Sequence, residues 1–145
     1  MLQLYKDALP VEEILCTWYE KYKRKNYGAL INFVGIVRDE NGIDGLSFDI
    51  YEPILTSWFD QWQEKAKAQN AILLMAHSKG NVYVHESSYI AAVLSPKRRV
   101  ALEMIDDFVE DFKAKAPIWK YDIINGERIY AKDRSTPLPN SGLLQ

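Results

Sequence analysis

Cysteine, histidine and long apolar runs are all scarce in this 145-residue chain, and each scarcity removes a class of function. One cysteine, Cys16, excludes an internal disulfide and any multi-cysteine metal site. It falls on the apolar stripe of a helical segment, where a buried free thiol is expected. His77 and His85 stand eight apart, with no cysteine nearby and no helical H-x-x-x-H spacing. No metal is expected at either, and both read as satisfied structural or surface residues. No run is apolar enough to span a bilayer and the N-terminus lacks a signal-peptide pattern, so a soluble, cytoplasmic protein is expected. Neither sign of charge dominates: 18 Lys+Arg against 20 Asp+Glu leaves −2, with no global field for nucleic acid or anionic membrane. G-x-S-x-G, P-loop and G-x-G-x-x-G patterns are missing, and no cofactor is expected.

What is present suits one domain over residues 1–145, with 48% hydrophobic and 26% charged residues. Leu2 to Leu9 reads as a short strand or arm, and Pro10 opens a helix in which Ile14, Leu15, Trp18, Tyr19 and Tyr22 recur at helical spacing. Tyr27 to Arg38 is rich in β-branched and apolar residues and reads as a buried strand. After turn signals at Asn41-Gly42 and Asp44-Gly45, Leu46 to Glu52 alternates as a strand. A second helix is expected from about Pro53 to Ala68, with Ile54, Leu55, Trp58, Phe59 and Trp62 buried. Three short strands follow, Ala71 to His77, Asn81 to His85 and Ser87 to Leu94. Ser95 as N-cap and Pro96 as first residue open a third helix with Val100, Ala101, Met104, Ile105, Phe108, Val109 and Phe112 inward. Past Pro117, Ile118 to Ile124 and Arg128 to Lys132 flank Asn125-Gly126, a strong hairpin signal. The tail from Asp133, with its two prolines, is expected to be irregular. The order is α+β, three main helices on mostly antiparallel strands. The four tryptophans and most tyrosines lie at core periodicities rather than forming a base-stacking platform.

Three places carry chemistry. In FKAKAPIWKYD, residues 112–122, Lys113 ends a helix, Pro117 stops it, and Lys120 lies on the next strand. Two ammonium groups on elements meeting at a corner can converge on one pocket, although lysines also serve a helix's last turn by complementing its dipole. Lys97, Arg98 and Arg99 crowd the start of the third helix, where the macrodipole already favours anions. Arg98 falls in line with Ala101, Ile105 and Phe112, so it is expected to point towards the protein body. A phosphate and an internal salt bridge are equal alternatives for what it meets. Arg38 ends the long strand just before a glycine-containing loop, where functional side chains commonly emerge.

These segments together resemble the large, catalytic subunit of molybdopterin synthase from about Tyr27 to Asp133. GALINFVGIVRDEN is similar to the family's glycine-initiated strand ending in G-x-V-R. HSKGNVYVHESSYIAAVLSPKRR is similar to its H-R-I-G…H-R block, and FKAKAPIWKYD to its L-K-x-x-x-P-x-W-K-x-E block. The resemblance implies an α/β hammerhead fold and a homodimer of large subunits, with a small ubiquitin-like sulfur-carrier subunit at each end of a heterotetramer. It implies conversion of cyclic pyranopterin monophosphate (precursor Z) to molybdopterin, with sulfur from the small subunit's thiocarboxylated C-terminal glycine. Lys113 and Lys120 would be catalytic by this likeness, while Arg38, Lys97 and Arg98 would bind substrate. Backbone at Ile36-Val37 and Tyr121-Asp122 would line the same pocket.

Such residues suit an anionic, phosphate-bearing substrate, because excluded water strengthens their charge. Lys113 is assigned to the thiocarboxylate and acyl-intermediate end, and Lys120 to substrate charge and proton transfer. Two departures stand out: Lys97 replaces the family's histidine, losing a group that titrates near neutrality, and Ser78 and Lys79 replace the arginine and isoleucine of H-R-I-G. The competing readings are a non-catalytic docking module for a ubiquitin-like partner and a generic phosphate-binding domain.

Overall fold

A computed structural model gives the structure of the protein and describes residues 1–131, so the tail from Asp133 and the residue Lys132 lie outside the described residues. In chain order the elements are β1 (Leu2–Lys6), α1 (Val11–Tyr22), β2 (Ala29–Ile36), β3 (Gly45–Ile50), α2 (Glu52–Lys67), β4 (Ile72–Tyr83), β5 (Ser87–Ser95), α3 (Arg98–Lys115), β6 (Ile118–Ile124) and β7 (Glu127–Tyr130). The strands form one seven-stranded sheet in the order β2-β5-β4-β3-β6-β7. β1 lies parallel to β4, and every other pair is antiparallel. Three helices on a mostly antiparallel sheet is the α+β, hammerhead-type arrangement expected. Among the described residues no helix is long and apolar enough to cross a membrane.

Strand alternation sends each central strand to two cores. Leu74, Ala76, Ile90, Ala92 and Leu94 meet Ile14, Trp18 and Tyr22 of α1 on one face. Leu73, Met75, Tyr89, Ala91 and Val93 meet α2 and α3 on the other. β5 is therefore buried along its whole length, as a strand covered on both faces must be. At the β6–β7 turn, Asn125 (φ 50°) and Gly126 (φ 79°) take the left-handed conformation that a tight hairpin requires.

Several expectations give way to packing. The three short strands after α2 are two long ones. The Ser78-Lys79-Gly80 segment, which separates two of the expected strands, is a bend within β4. Gly80 takes φ +89°, and a Cβ there would lie 2.6 Å from Asp7 Oδ1, which accepts the Asn81 N–H at 3.0 Å. β4 pairs with β5 as far as His77 and with β3 from Gly80, so the bend hands the strand from one partner to another. The strand expected to be buried, β2, is an edge: Phe33 is 40% and Ile36 61% exposed. Apolar composition alone does not separate a covered central strand from an uncovered edge. α3 starts at Arg98 with Lys97 as N-cap, because the Ser95 hydroxyl closes onto Lys97 instead, donating to its C=O (2.8 Å) and accepting its N–H (3.1 Å). The stripe on α1 narrows to Ile14, Trp18 and Tyr22, leaving Cys16 and Tyr19 exposed. Ile54 is likewise outside the α2 core line, and the last strand runs Glu127–Tyr130.

One polar clasp fixes the end of α3. Asp111 Oδ2 accepts the indole N–H groups of Trp58 (2.9 Å) and Trp62 (2.7 Å) from α2, and Oδ1 meets Lys115 Nζ at 3.2 Å. Burial pushes this carboxyl's pKa up, but the Trp62, Trp58 and Lys115 bonds outweigh it and hold the group below its usual value. Asp111→Ala leaves two indole donors unpaired, and a loss of ~2–4 kcal/mol is expected in urea unfolding. Lys115→Ala removes only an exposed pair and is expected to cost ~0.5 kcal/mol. A carboxyl depressed in the fold contributes its stability above the unfolded value near ~3.9 and loses it as pH falls. The gap between wild type and Asp111→Ala should therefore hold from neutral pH to ~5 and close in more acid.

Candidate functional site

The site begins at a corner. Proline has no N–H to continue a helix and drives the preceding residue into extended backbone. Ala116 accordingly leaves α3 at φ −65°, ψ 138°, its N–H closing the last turn onto Phe112 O at 3.0 Å. The buried Pro117 hands its carbonyl to Tyr51 N–H (3.2 Å), which anchors the corner to the start of α2. β6 sets out at once, with Lys120 directly opposite Phe48 of β3 and Ile118 opposite Ile50. Paired residues share a face, so Lys120 lies on the side of the sheet that α3 covers. Lys113 on the last turn of α3 is exposed, and Lys120 is half-buried. Asp122 shares the Lys120 face by alternation. The Tyr121 ring is on the other, against Tyr130 (5.7 Å between centroids) and the Arg128 guanidinium (4.0 Å).

Arg38 reaches the same end of the sheet by another route. The register of β2 on β5 shifts between Gly35 and Ile36, and the chain then tucks Val37 into the core. Val37 donates its N–H to Glu86 O (2.9 Å), accepts the His85 N–H (2.8 Å), and packs with Phe48 and Val82. Arg38 emerges from that anchor into solvent, where its guanidinium meets Glu40 Oε2 at 2.8 Å. Ile36, Val37, Arg38, Lys113, Lys120, Tyr121 and Asp122 thus belong to one end of the protein.

Lys97 and Arg98 do not. Ala29 pairs with Ser95 and Ile36 with Ser87, so the start of α3 lies at the opposite end of the β2–β5 ladder from Arg38. The helix between Arg98 and Lys113 spans roughly 22 Å at its normal rise. Arg98, expected to point towards the protein body, is exposed along with Lys97 and Arg99. It precedes the first turn that reaches the core, and Ala101 is the first α3 residue fully buried. Within one chain, Lys97-Arg98 therefore stand at the opposite end of α3 from Lys113 and at the opposite end of the β2–β5 ladder from Arg38.

A row of rings that sequence reasoning missed joins Phe112, the residue before Lys113, to Phe48, the residue opposite Lys120. Phe33 meets Tyr89 at 5.8 Å, and Tyr89 stacks on Phe112 at 4.2 Å with 10° between planes. His77 contacts Tyr89, Phe112 and Phe48 at 5.8, 5.6 and 5.0 Å. Its Nδ1 lies 2.8 Å from Ser78 O. Burial, chiefly, pushes the imidazole down to about 4; the Ser78 carbonyl opposes this and the charge of Lys120 adds to it. The signal was available: His77 has the parity of Leu73 and Met75 on β4, and Phe112 adjoins Lys113.

The chain is similar to known proteins in sequence and in fold. A family model described as MoaE protein matches residues 6–115. The molybdopterin synthase catalytic subunit of Helicobacter pylori (strain ATCC 700392 / 26695) is 51% identical over 144 residues, 99% of each chain. That of Bacillus subtilis (strain 168) is 28% identical, covering 95% of this chain and 90% of its own. A chain from the protein–protein complex of subunits 1 and 2 of molybdopterin-converting factor from Helicobacter pylori 26695 superposes with a TM-score of 0.92 at 50% identity, over 99% of both chains. Molybdopterin synthase from Staphylococcus aureus shares the fold at a TM-score of 0.74 and 22% identity, over 88% of this chain and 94% of its own.

The neutral imidazole has a measurable consequence. His77 titrates lower in the fold than unfolded, so the unfolded chain binds a proton below ~6.5 that the folded one refuses. Its contribution is complete above that value and falls away towards pH 4, a loss on the order of 3 kcal/mol. Urea unfolding of wild type and His77→Phe at pH 7.5 and 4.5 checks the sign: the variant should show the smaller acid loss.

Proposed function

Because the chain belongs to the MoaE protein family, we propose that it is the catalytic large subunit of molybdopterin synthase, a sulfurtransferase of molybdenum cofactor biosynthesis. Its substrate is cyclic pyranopterin monophosphate, and its sulfur comes from the thiocarboxylated C-terminal glycine of a small ubiquitin-like partner. The relative solved as a complex of two converting-factor subunits supports such a partner. The observation that carries the site is the Ala116-Pro117 corner, which turns the α3 end bearing Lys113 into the strand bearing Lys120. Lys113 receives the thiocarboxylate and the acyl group, and Lys120 offsets substrate charge and moves a proton. The backbone at Ile36-Val37 and Tyr121-Asp122 walls the pocket beside Arg38. The protein works in the cytoplasm as one domain, with no metal or other cofactor of its own.

Lys97 and Arg98 act on the site of a second copy. β2 is an uncharged edge strand of eight residues, ALINFVGI, with Phe33 and Ile36 exposed. Such an edge is a template for another strand. Antiparallel pairing of two β2 strands about a two-fold axis lays the Ile36 end of one against the Ala29 end of the other. Gly28 at that end donates its N–H to Ser95 O at 3.0 Å, beside Pro96 and the cation pair. The pair then approaches the Lys113 end of the neighbouring protomer, forming a homodimer with two composite sites inside the heterotetramer.

Single-turnover assays with the thiocarboxylated small subunit test the chemistry. Lys113→Ala and Lys120→Ala should each lower the rate by ~10²-fold or more while partner affinity is retained. A wild type that binds the partner but forms no dithiolene product would instead be a docking module. Mixed dimers test the sharing. Lys120→Ala and Arg98→Ala homodimers should each be impaired, and subunit exchange between them should restore one intact site per mixed dimer. No recovery on exchange would place Arg98 in the service of its own chain.

A further inference from the structure

His77 packs against the neighbours of both lysines of the proposed chemistry, and the reaction outlined above gives it no part. Its ring meets Phe48, directly opposite Lys120 in the β3–β6 register, edge-on at 5.0 Å. It meets Phe112, the residue before Lys113, at 5.6 Å. The Ser78 carbonyl 2.8 Å from Nδ1 can only accept, so Nδ1 carries the proton and Nε2 is left as a lone pair. The imidazole is buried among rings and bears no charge that would compete with the lysine.

We propose that His77 is the positioning residue of Lys120: Nε2 accepts a hydrogen bond from the Lys120 ammonium, directly or through one water, and fixes where that charge stands. Three observations support the contact. Lys120 shares the His77 face of the sheet, and its charge acts on the imidazole. The other ring neighbours on β3 and α3, Phe48 and Phe112, offer neither charge nor hydrogen bond. Tyr89 of β5, a titratable ring neighbour of His77, has a buried hydroxyl with no hydrogen-bond partner among the described residues, a polar group that a water could satisfy. The chemistry favours a neutral acceptor here. A carboxylate would hold the ammonium equally well but cancel the positive charge that an anionic substrate needs, whereas an imidazole orients it and leaves the charge intact.

The consequence for turnover rests on the sulfur-transfer reading, while the contact does not, and two readouts separate them. His77→Phe keeps a ring in the row and removes Nε2, and His77→Gln restores an acceptor without the ring. In single turnover with the small subunit in place, His77→Phe should lower the rate by ~10-fold or more, and His77→Gln should recover to within about 3-fold of wild type. Affinity for the small subunit should change by less than about 2-fold in both. In the same complexes carrying ¹³C-methylated lysines, the Lys120 signal should titrate about one unit lower in His77→Phe than in wild type, because the charged form has lost its acceptor. Unchanged Lys120 titration and unchanged rate in His77→Phe would overturn the proposal. So would a rate that falls equally in both variants alongside thermal stability, since that is a packing effect alone. If Lys120 responds to His77 but wild type makes no product, the positioning contact stands and the sulfur-transfer function falls.

Discussion

The rest of the site depends on the missing N–H of Pro117. A helix that ended in a flexible linker would leave Lys113 and Lys120 independent of each other. Proline forces Ala116 into extended backbone and ends the helix, and burial of its ring with the Tyr51 hydrogen bond fixes the direction of exit. The corner is held from both sides. Asp111 pins the last turns of α3 to two tryptophans of α2, and the β3–β6 ladder fixes Lys120 opposite Phe48. Two cations that would repel if free are thereby held on rigid elements, where the geometry survives without substrate.

The surroundings of those cations differ in a way that suits unequal roles. Lys113 is exposed on a helix end, and Lys120 is half-buried above a layer of rings. Water screens the first and is largely excluded from beneath the second, so a charge at Lys120 acts on its neighbours more strongly. The imidazole of His77, lowered chiefly by its own burial, is lowered further by that charge. Arg38, exposed and paired to Glu40, retains the freedom to exchange one anionic partner for another. Of the three cations, Arg38 and Lys113 are exposed and Lys120 is the most deeply set.

How much of this could be read from the chain varied with the kind of information involved. The helices with strong 3.6-residue periodicity were legible, as were Asn125-Gly126 and the Pro117 stop, because local chemistry dictates them. The bend in β4 was not, since Ser78-Lys79-Gly80 has turn composition and distant partners carry the strand through it: β1, paired as far as Lys79, and the Asp7 carboxylate on Asn81 N–H. The exposure of β2 was illegible for a related reason: composition reports that a surface seeks apolar company, not whether that company is the same molecule. The separation of Arg98 from Lys113 follows from helix length alone, which a shared motif set does not express. His77 reads from the sequence as a structural or surface histidine and is a buried structural one, but only the fold shows which rings surround it.

The uncharged edge of β2 also bears on the protein's life before assembly. A newly folded chain offers eight consecutive residues with no lysine, glutamate or proline to discourage another strand from docking. The strand cannot tell a correct neighbour from a wrong one by charge, so selection must come from shape and from who arrives first. Cells overproducing this chain alone would be expected to lose part of it to aggregates. Yield, in that case, is set by the kinetics of encounter rather than by the stability of the folded domain.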